Sequence, residues 1–231
     1  MKKLFVVLVL LAFTVGGAFA INLSAGVGAS IQAYSNTLSD SASSGGVTAS
    51  ASNTINYTPL GVSAFFDATY LQAAIGYEVA NGGSSTVSGT GVTTTTSSLN
   101  QNLSYLLFSA YGKYPFKLGP VSLFPLLGIT YLLNLTYTDS SGNNLKSGLT
   151  SQEQADLNQL WIRGGVGADF SLGQKLYLRP ELLTGFKILS STDNDTVTGV
   201  KNALTGLGLS NVSASMGYWS WDLSLMLGYK L

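Results

Sequence analysis

Apolar and polar residues alternate at every second position in several separate stretches of the chain. In the last stretch, 219–231, large apolar residues occupy every odd position, with mostly small or polar residues between them. The first such stretch, 21–33, follows the same rule. Because successive side chains of a β-strand point to opposite faces, this pattern predicts strands with one apolar and one mostly polar face.

The alternating stretches predict eight strands, joined by connections of two kinds. The strands are expected at 21–33, 60–67, 71–79, 103–114, 121–137, 160–170, 175–188 and 219–231. Four polar stretches, rich in Ser, Thr, Gly and Asn, lie at about 36–58, 81–102, 138–156 and 190–216. The other three connections are short turns, such as PFKLGP and SLGQ.

Long connections on one side and short turns on the other are typical of a membrane-spanning barrel. The predicted fold class is therefore all-β, an eight-stranded antiparallel up-and-down transmembrane β-barrel. The strands are near or above the length needed to cross a bilayer at a tilt. A soluble β-sandwich or lipocalin-like barrel is the alternative, but there the outward face is polar and the connections are less unequal.

In such a barrel the apolar face of each strand contacts lipid and the other face points inward. Aromatic residues favour the two membrane interfaces. The residues expected on the loop-side girdle are Trp219, Trp221, Tyr77, Tyr105 and Tyr137. Those expected on the turn-side girdle are Tyr229, Phe170 and Phe66.

The same alternation places charged residues of both signs inside the barrel. They are Asp67, Glu78, Arg163, Asp169, Arg179, Glu181, Lys187, Asp222 and Lys230. An eight-stranded barrel is only just wide enough for its own side chains, so we expect these groups to form an internal network, with Asp169 close to Arg179 and Glu181. A proton or ion path is the alternative. An apolar inner wall is also expected, from Leu106, Phe108, Phe124, Leu126 and Leu132.

The N-terminus predicts export. Two lysines, an apolar run and Ala18-Phe19-Ala20 indicate a cleaved secretory signal peptide at 1–20, which leaves the barrel domain at 21–231. Without Lys2 and Lys3 the chain has 9 basic and 11 acidic residues, a balance that does not favour nucleic-acid binding. Charged residues are only 10% of the chain, which suits a protein partly dissolved in lipid.

Residues for catalysis or metal binding are scarce. The chain has no histidine and no cysteine, which removes the usual general base and the soft metal ligands. The glycine-rich segment 163–169 falls within a predicted strand and lacks the context of a phosphate loop. The carboxylates of 193–196 could contact calcium, but a solvated loop is the expectation. We therefore predict no enzyme activity, no cofactor and no catalytic, cofactor-binding or metal-binding residues.

The whole predicted mature chain resembles the small eight-stranded outer-membrane proteins of the OmpX, OmpA-barrel and OmpW kind. The segments LSYLLFSAYGKYPF and KLYLRPELLTGFK are similar to spirochaete-type barrels. The resemblance implies an outer-membrane location and recognition of the last strand by the barrel-assembly machinery, although the final residue is Leu231 where Phe is usual. Pro125 and Pro180 also depart from the pattern, and we expect bulges there.

Two functions are compatible with these features. The first is a non-enzymatic outer-membrane scaffold whose surface loops bind an extracellular ligand, because loops on a rigid scaffold commonly carry binding sites. The alternative, implied by the OmpW-like apolar inner wall, is a narrow channel for small hydrophobic molecules.

Overall fold

The computed structural model describes residues 22–188 and 190–231. The predicted signal peptide, 1–20, and Ile21 lie outside the described residues. The strands are β1 (Leu23–Ser44), β2 (Val47–Tyr57), β3 (Leu60–Ala68), β4 (Leu71–Gly89), β5 (Val92–Lys113), β6 (Phe116–Leu118), β7 (Val121–Asp139), β8 (Gln159–Ser171), β9 (Leu176–Lys187) and β10 (Ser210–Lys230). The helices are a 3₁₀ turn (Lys146–Gly148), α1 (Ser151–Asp156) and α2 (Ser191–Gly206). In this part of the chain, no helix has the length and apolarity to cross a membrane.

The strands close into an antiparallel ring. β1 pairs with β10 on one side and with β3 on the other, and the remaining neighbours follow the chain order through β4, β5, β7, β8 and β9. β2 and β3 are two halves of one arm, separated at Thr58 and Pro59, and β6 is a short strand beside β7. The ring thus has eight arms, which confirms the predicted eight-stranded up-and-down barrel.

Two of the predicted long loops are wrong, because they continue the barrel strands upward. β1 and β2 stay paired from Tyr34–Tyr57 to Ser44–Val47, and β4 and β5 stay paired up to Gly89–Val92. Gly45 and Gly46 turn the first hairpin with φ values of 58° and 83°, which a two-residue hairpin turn requires and glycine adopts without strain.

Serine and threonine hold these upper strands together, although their sequence has no apolar alternation. Hydroxyl pairs form across neighbouring strands at 2.8–3.2 Å. They are Thr37–Thr54, Ser41–Ser213, Ser43–Thr48, Ser52–Ser88, Ser50–Thr90 and Thr86–Thr96. Such cross-strand pairs stabilise a sheet whose side chains are mostly polar. We name the part of β10, β1, β2, β4 and β5 above the barrel the upper sheet.

The outer face of the barrel is apolar, as predicted. Trp219 is 55% exposed, and Trp221 and Tyr77 also point outward. The three residues expected on the turn-side girdle, Phe66, Phe170 and Tyr229, are exposed as well. The outward orientation of these six residues is confirmed.

Four orientations predicted for β5 and β7 are wrong. Tyr105 is buried inside and Phe108 is 41% exposed outside, so the two faces of β5 are exchanged and Leu106 belongs to the outer face with Phe108. The reason is that β5 carries large apolar residues on both faces, so alternation cannot tell them apart. Tyr137 points inward because Leu135 is an extra residue in β7, where the pairing with β5 shifts register.

The two strand prolines lie at breaks in the hydrogen-bonded ladder, without the expected bulges. Pro125 stays in register with Val166, and the pairing of β7 with β5 ends beside it, at Leu126 and Lys113. Pro180 lies where the pairing of β8 with β9 skips two positions. A missing backbone N–H is tolerated at such breaks because no partner there needs it.

The last two long connections carry helices. Thr150 begins α1 with a capping box to Glu153, and Ser190 begins α2 in the same way with Asp193. The expectation of a solvated loop at 193–196 is wrong, since Asp193 is buried and helical.

Candidate functional site

Arg179 holds the turn-side half of the lumen together. Its guanidinium contacts Asp169 at 2.6 and 2.9 Å, Asp67 at 2.6 Å and Gln72 at 2.8 Å. Lys113 from β5 pairs with the same Asp67. These partners come from β3, β4, β5 and β8, so the network spans the barrel. A buried arginine of this kind needs every partner, because an unpaired internal charge is costly.

Aromatic rings surround the Arg179 guanidinium as well. Its central carbon lies 4.9 Å from the ring centre of Phe65 and 5.0 Å from those of Phe124 and Tyr177. The Tyr177 hydroxyl in turn bonds to Ser24 at 2.8 Å. Cation–π contacts at these distances stabilise a desolvated guanidinium. The turn-side lumen is therefore filled with packed side chains.

Arg163 joins opposite walls of the barrel at a second level, nearer the loops. From β8 it donates to Gln32 at 3.1 Å and Tyr34 at 2.9 Å, both on β1, and it lies 3.4 Å from Asp222 on β10. The Tyr34 hydroxyl is also 3.1 Å from Glu78 on β4. Opposite walls of the barrel are thus joined through side chains at this level too.

Apolar layers separate and cover the charged ones. The loop-side layer consists of Ala80, Leu103, Tyr105, Leu132 and Trp161, with Tyr34, Tyr57, Leu107, Tyr137 and Tyr218 packed against it. A middle layer consists of Tyr111, Phe124, Leu126 and Leu183. The inward orientation predicted for Phe124, Leu126 and Leu132 is confirmed. These layers fill the lumen and leave no wide water-filled path of the porin kind.

Helix α2 is fastened at the loop-side mouth through Asp193. This carboxylate accepts hydrogen bonds from Lys187 at 2.9 Å and from Tyr218 at 2.5 Å. The Lys187 ammonium also lies 4.0 Å from the centre of the Tyr218 ring. Burial favours the neutral acid, but the hydrogen bonds from Tyr218, Ser190 and Lys187 outweigh it and hold the pKa of Asp193 below its ordinary value.

Most of the predicted inward charges meet in these networks. Asp169 contacts Arg179 as expected, while Glu181 bonds to Gln72 at 3.2 Å. Lys230 lies on the inward face of β10, opposite Ser24, but it is exposed at the end of the strand and joins none of the ion pairs described for these networks. The sequence pattern does not predict the inward position of Lys113, because it predicts the two faces of β5 the wrong way round. Only the strand partners of β5 could have revealed it.

The upper sheet has an open edge. β5 pairs with β7 only from Gln101 downward, so among the described strands residues 92–100 have β4 on one side and no strand on the other. At the lower end of this edge the Asn100 carbonyl oxygen accepts a hydrogen bond from the Ser140 N–H at 3.1 Å. This edge, VTTTTSSLN, contains no charge and no proline. An unpaired row of backbone N–H and C=O groups can receive another extended chain. The fourth predicted long connection, 190–216, lies beside the other edge, where α2 contacts β10.

A crevice opens on the outer wall where the two prolines interrupt the ladder. Its lining is almost wholly apolar and includes Phe116, Leu123, Pro125, Val166 and Leu182. Phe124 and Glu181, which are both buried, also line it. The crevice is therefore a break in the wall that ends against the filled lumen.

Chemistry beyond these networks has little support in the part of the chain that the structure describes. Segment 163–169 lies within β8, where the sequence analysis placed it, and holds no phosphate loop. Residues 22–188 and 190–231 contain no group of three acidic residues arranged to hold a metal ion.

The sequence matches no protein-family model and no curated relative. Among solved structures, the chain is similar to the outer membrane protein OprG from Pseudomonas aeruginosa, at 14% identity and a TM-score of 0.44, covering 94% of this chain and 98% of that one. It is also similar to Ail of Yersinia pestis, at 10% identity and a TM-score of 0.38, covering 92% and 100%. Neisserial surface protein A is similar at 10% identity and a TM-score of 0.37, covering 87% and 97%. With scores below 0.5, the fold is assigned from the strand pairing itself.

Proposed function

We propose that the protein is a non-enzymatic outer-membrane barrel that presents the upper sheet for binding extracellular polypeptides. The observation that carries this proposal is the open β5 edge on a sheet that continues the strands of a filled barrel. A filled lumen supports a scaffold, and a sheet edge above the membrane supports binding.

The outer apolar face supports a membrane location. Large residues are exposed all around the ring, for example Leu127 at 68%, Leu225 at 53% and Val62 at 61%. A soluble protein rarely leaves so continuous an apolar surface in water. Lipid contact with this face would be favourable, and a closed ring satisfies the backbone hydrogen bonds that a bilayer cannot. Insertion by the barrel-assembly machinery through β10 is part of the proposal.

Strand addition is the mode of binding that suits this edge. An extended peptide beside residues 92–99 would pair its backbone with the outward N–H and C=O groups, and the threonine side chains would contact alternate residues of the peptide. The absence of edge charges leaves the position accessible, whereas lysine or proline at an edge usually prevents such pairing.

The test is peptide binding to the full chain refolded into lipid nanodiscs. A random-peptide phage library is panned against the protein, and selected peptides are compared on Thr95→Lys and Val87→Lys. These two positions are cross-strand partners, so both lysines lie on the same face, but only Thr95 belongs to the edge strand. Binding should fall about 10-fold or more for Thr95→Lys, in line with a loss of about 1.4 kcal/mol or more, and should change little for Val87→Lys.

Equal binding by the two variants, or no enrichment over empty nanodiscs, would overturn strand addition at this edge. Trimming 84–100 to a short turn gives a second test. The trimmed barrel should still fold, because the barrel pairs of β4 and β5 lie below the cut, and it should lose the selected peptides.

A narrow conduit for small apolar molecules is the second candidate, and the outer crevice favours it. An apolar molecule dissolved in the bilayer could enter beside Pro125 and Val166. Uptake of a small fluorescent hydrocarbon into proteoliposomes tests this. Leu182→Trp, which fills the crevice, should abolish uptake, and Leu227→Trp, on the outer face elsewhere, should not. Equal uptake with and without protein would exclude the conduit.

A further inference from the structure

Two carboxyl groups inside the barrel have no cation of their own. In the described residues, the buried inward-facing groups of the strands, together with the half-buried Asp169 and with Asp193 of α2, comprise four cations and six carboxyl groups. The ion pairs are Lys113 and Arg179 with Asp67 and Asp169, Lys187 with Asp193, and Arg163 with Asp222. These pairs use four carboxylates and leave Glu78 and Glu181, which are 1% and 4% exposed.

Glu78 is poorly supported as an anion, because its hydrogen-bond donor Tyr34 is shared with Gln32. Tyr34 Oη lies 2.5 Å from Gln32 Oε1 and 3.1 Å from a carboxyl oxygen of Glu78. Arg163 donates to the same Gln32 oxygen, which fixes that atom as an acceptor. The single Tyr34 hydroxyl proton therefore lies between Tyr34 and Gln32. Glu78 therefore receives at most a share of that proton, over 3.1 and 3.3 Å to its two carboxyl oxygens, and has no full hydrogen-bond donor as an anion.

Glu181 is poorly supported as an anion. Its Oε2 atom accepts one neutral hydrogen bond, from Gln72 at 3.2 Å, and its Oε1 atom has no partner among the described residues. Glu181 lines an internal cavity of about 40 Å³, together with Arg163 and Asp222, which also carry unpartnered atoms. A buried carboxylate with one weak neutral donor is strongly disfavoured, whereas a carboxylic acid can donate into a polar cavity with room for water.

We infer that the folded barrel binds two protons at neutral pH, one on Glu78 and one on Glu181. With these two protons the four cations and the four remaining carboxylates balance, and the interior is neutral. The titratable and charged groups that face the two carboxyls are Tyr34 on β1, Tyr105, Tyr111 and Lys113 on β5, Arg163 on β8, Arg179 on β9 and Asp222 on β10. All the cations among them already have a carboxylate partner.

Proton binding makes folding depend on pH with a definite sign. The unfolded chain exposes both glutamates to water, where they ionise above a pH of about 4.3. Because the folded state then holds two more protons, stability falls as pH rises. The equilibrium constant for unfolding should increase by up to about 100-fold per pH unit while both protons remain bound in the folded state.

The experiment measures protonated carboxyl groups directly, by infrared spectroscopy of the full chain folded in detergent at pH 7. The wild type should show the C=O band of a carboxylic acid. Glu78→Gln and Glu181→Gln should each remove about half of it, and the double variant should remove all of it. Asp169→Asn is the matched control, since Asp169 is paired with Arg179 and should contribute nothing to the band.

The pH dependence of urea unfolding is the second measurement, and it needs no variant. A wild type without the band at pH 7, or with stability that does not fall between pH 5 and 8, would overturn the inference. A carboxylic acid band that survives in the folded double variant would also overturn the inference. Stabilisation by sodium or potassium at constant ionic strength, without the band, would show that a cation neutralises the two carboxylates instead.

Discussion

Gly228 illustrates how closely side chains pack inside the barrel. A Cβ atom at this position would lie 2.1 Å from Cζ of Tyr177, a buried ring that bonds to Ser24 and stacks on Arg179. Gly228→Ala should therefore force the ring from its place and lower the free energy of unfolding by about 1–3 kcal/mol. Urea titration of the refolded protein measures this.

Gly112 is the control for that substitution, because it is also a strand glycine. Its nearest contact for an added Cβ is the Leu127 carbonyl oxygen at 3.7 Å, an ordinary distance. Gly112→Ala should leave stability unchanged or raise it slightly, since alanine loses less backbone entropy on folding. If both variants lose the same free energy of unfolding, crowding at Tyr177 does not explain the loss in Gly228→Ala.

Asp193 gives the loop-side mouth a pH dependence. Its pKa is held below the ordinary carboxyl value in the folded state, so its ionised form contributes stability above a pH of about 4, and this contribution is lost as pH falls through the lowered pKa. We expect α2 to detach from the mouth in acid. A spin label at Thr198 should become more mobile at low pH, and already at pH 7 in Asp193→Asn.

The control for the mouth is Asp195→Asn, which removes an exposed charge from the same helix. A spin label at Thr198 in this variant should have the same mobility as in the wild type at every pH. If Asp193→Asn keeps an immobile label at pH 7, the contacts with Lys187 and Tyr218 do not hold the helix. Removing hydrogen bonds to a charged group commonly costs about 1.5–3 kcal/mol, which would weaken the attachment of α2 to the mouth.

At the scale of elements, β5 is where the structure differs most from the sequence pattern, and its faces can be tested chemically. The chain has no cysteine, so single substitutions can be labelled without background. Phe108→Cys should react with a lipid-soluble maleimide in the folded protein, and Leu107→Cys should not. Leu127→Cys and Leu126→Cys on β7 are the matched outward and inward controls, at 68% and 3% exposure. Reaction of Leu107→Cys alone would restore the arrangement that alternation predicts.

The strands that alternation located best are those with one polar face. In β4, Gln72 and Glu78 alternate with Leu71, Ile75 and Tyr77, and the structure places them inside and outside as expected. β5 fails because its inner residues include Leu103, Leu107 and Tyr111, so both faces are apolar. The register shift at Leu135 in β7 could not be predicted, since a bulge adds a residue without a sequence signal in either strand.

The upper sheet and the lumen also contain features that the sequence pattern does not predict. The sequence predicts loops at 36–58 because serine and threonine are common in turns, but backbone pairing and hydroxyl contacts such as Thr37–Thr54 extend the strands there. Inside the barrel, the alternation of side chains predicts that Arg179 and Asp169 both point inward. That Asp67 and Lys113 join them depends on which strands lie opposite, which is fixed only by barrel closure.

At the scale of the whole molecule, the filled lumen predicts electrical silence. Arg163 and Arg179 each join opposite walls, and apolar layers lie between and above them, so no ion could pass without displacing buried charges or rings. The refolded wild type in a planar bilayer should therefore show no discrete current steps, while a 16-stranded porin in the same bilayer should show them. Phe124→Gly should also remain silent, because the layers above and below Phe124 are unchanged, and Leu123→Gly on the outer face is its control. Reproducible steps from the wild type would mean that the lumen opens in lipid, and the conduit would then replace the scaffold as the better account of the barrel.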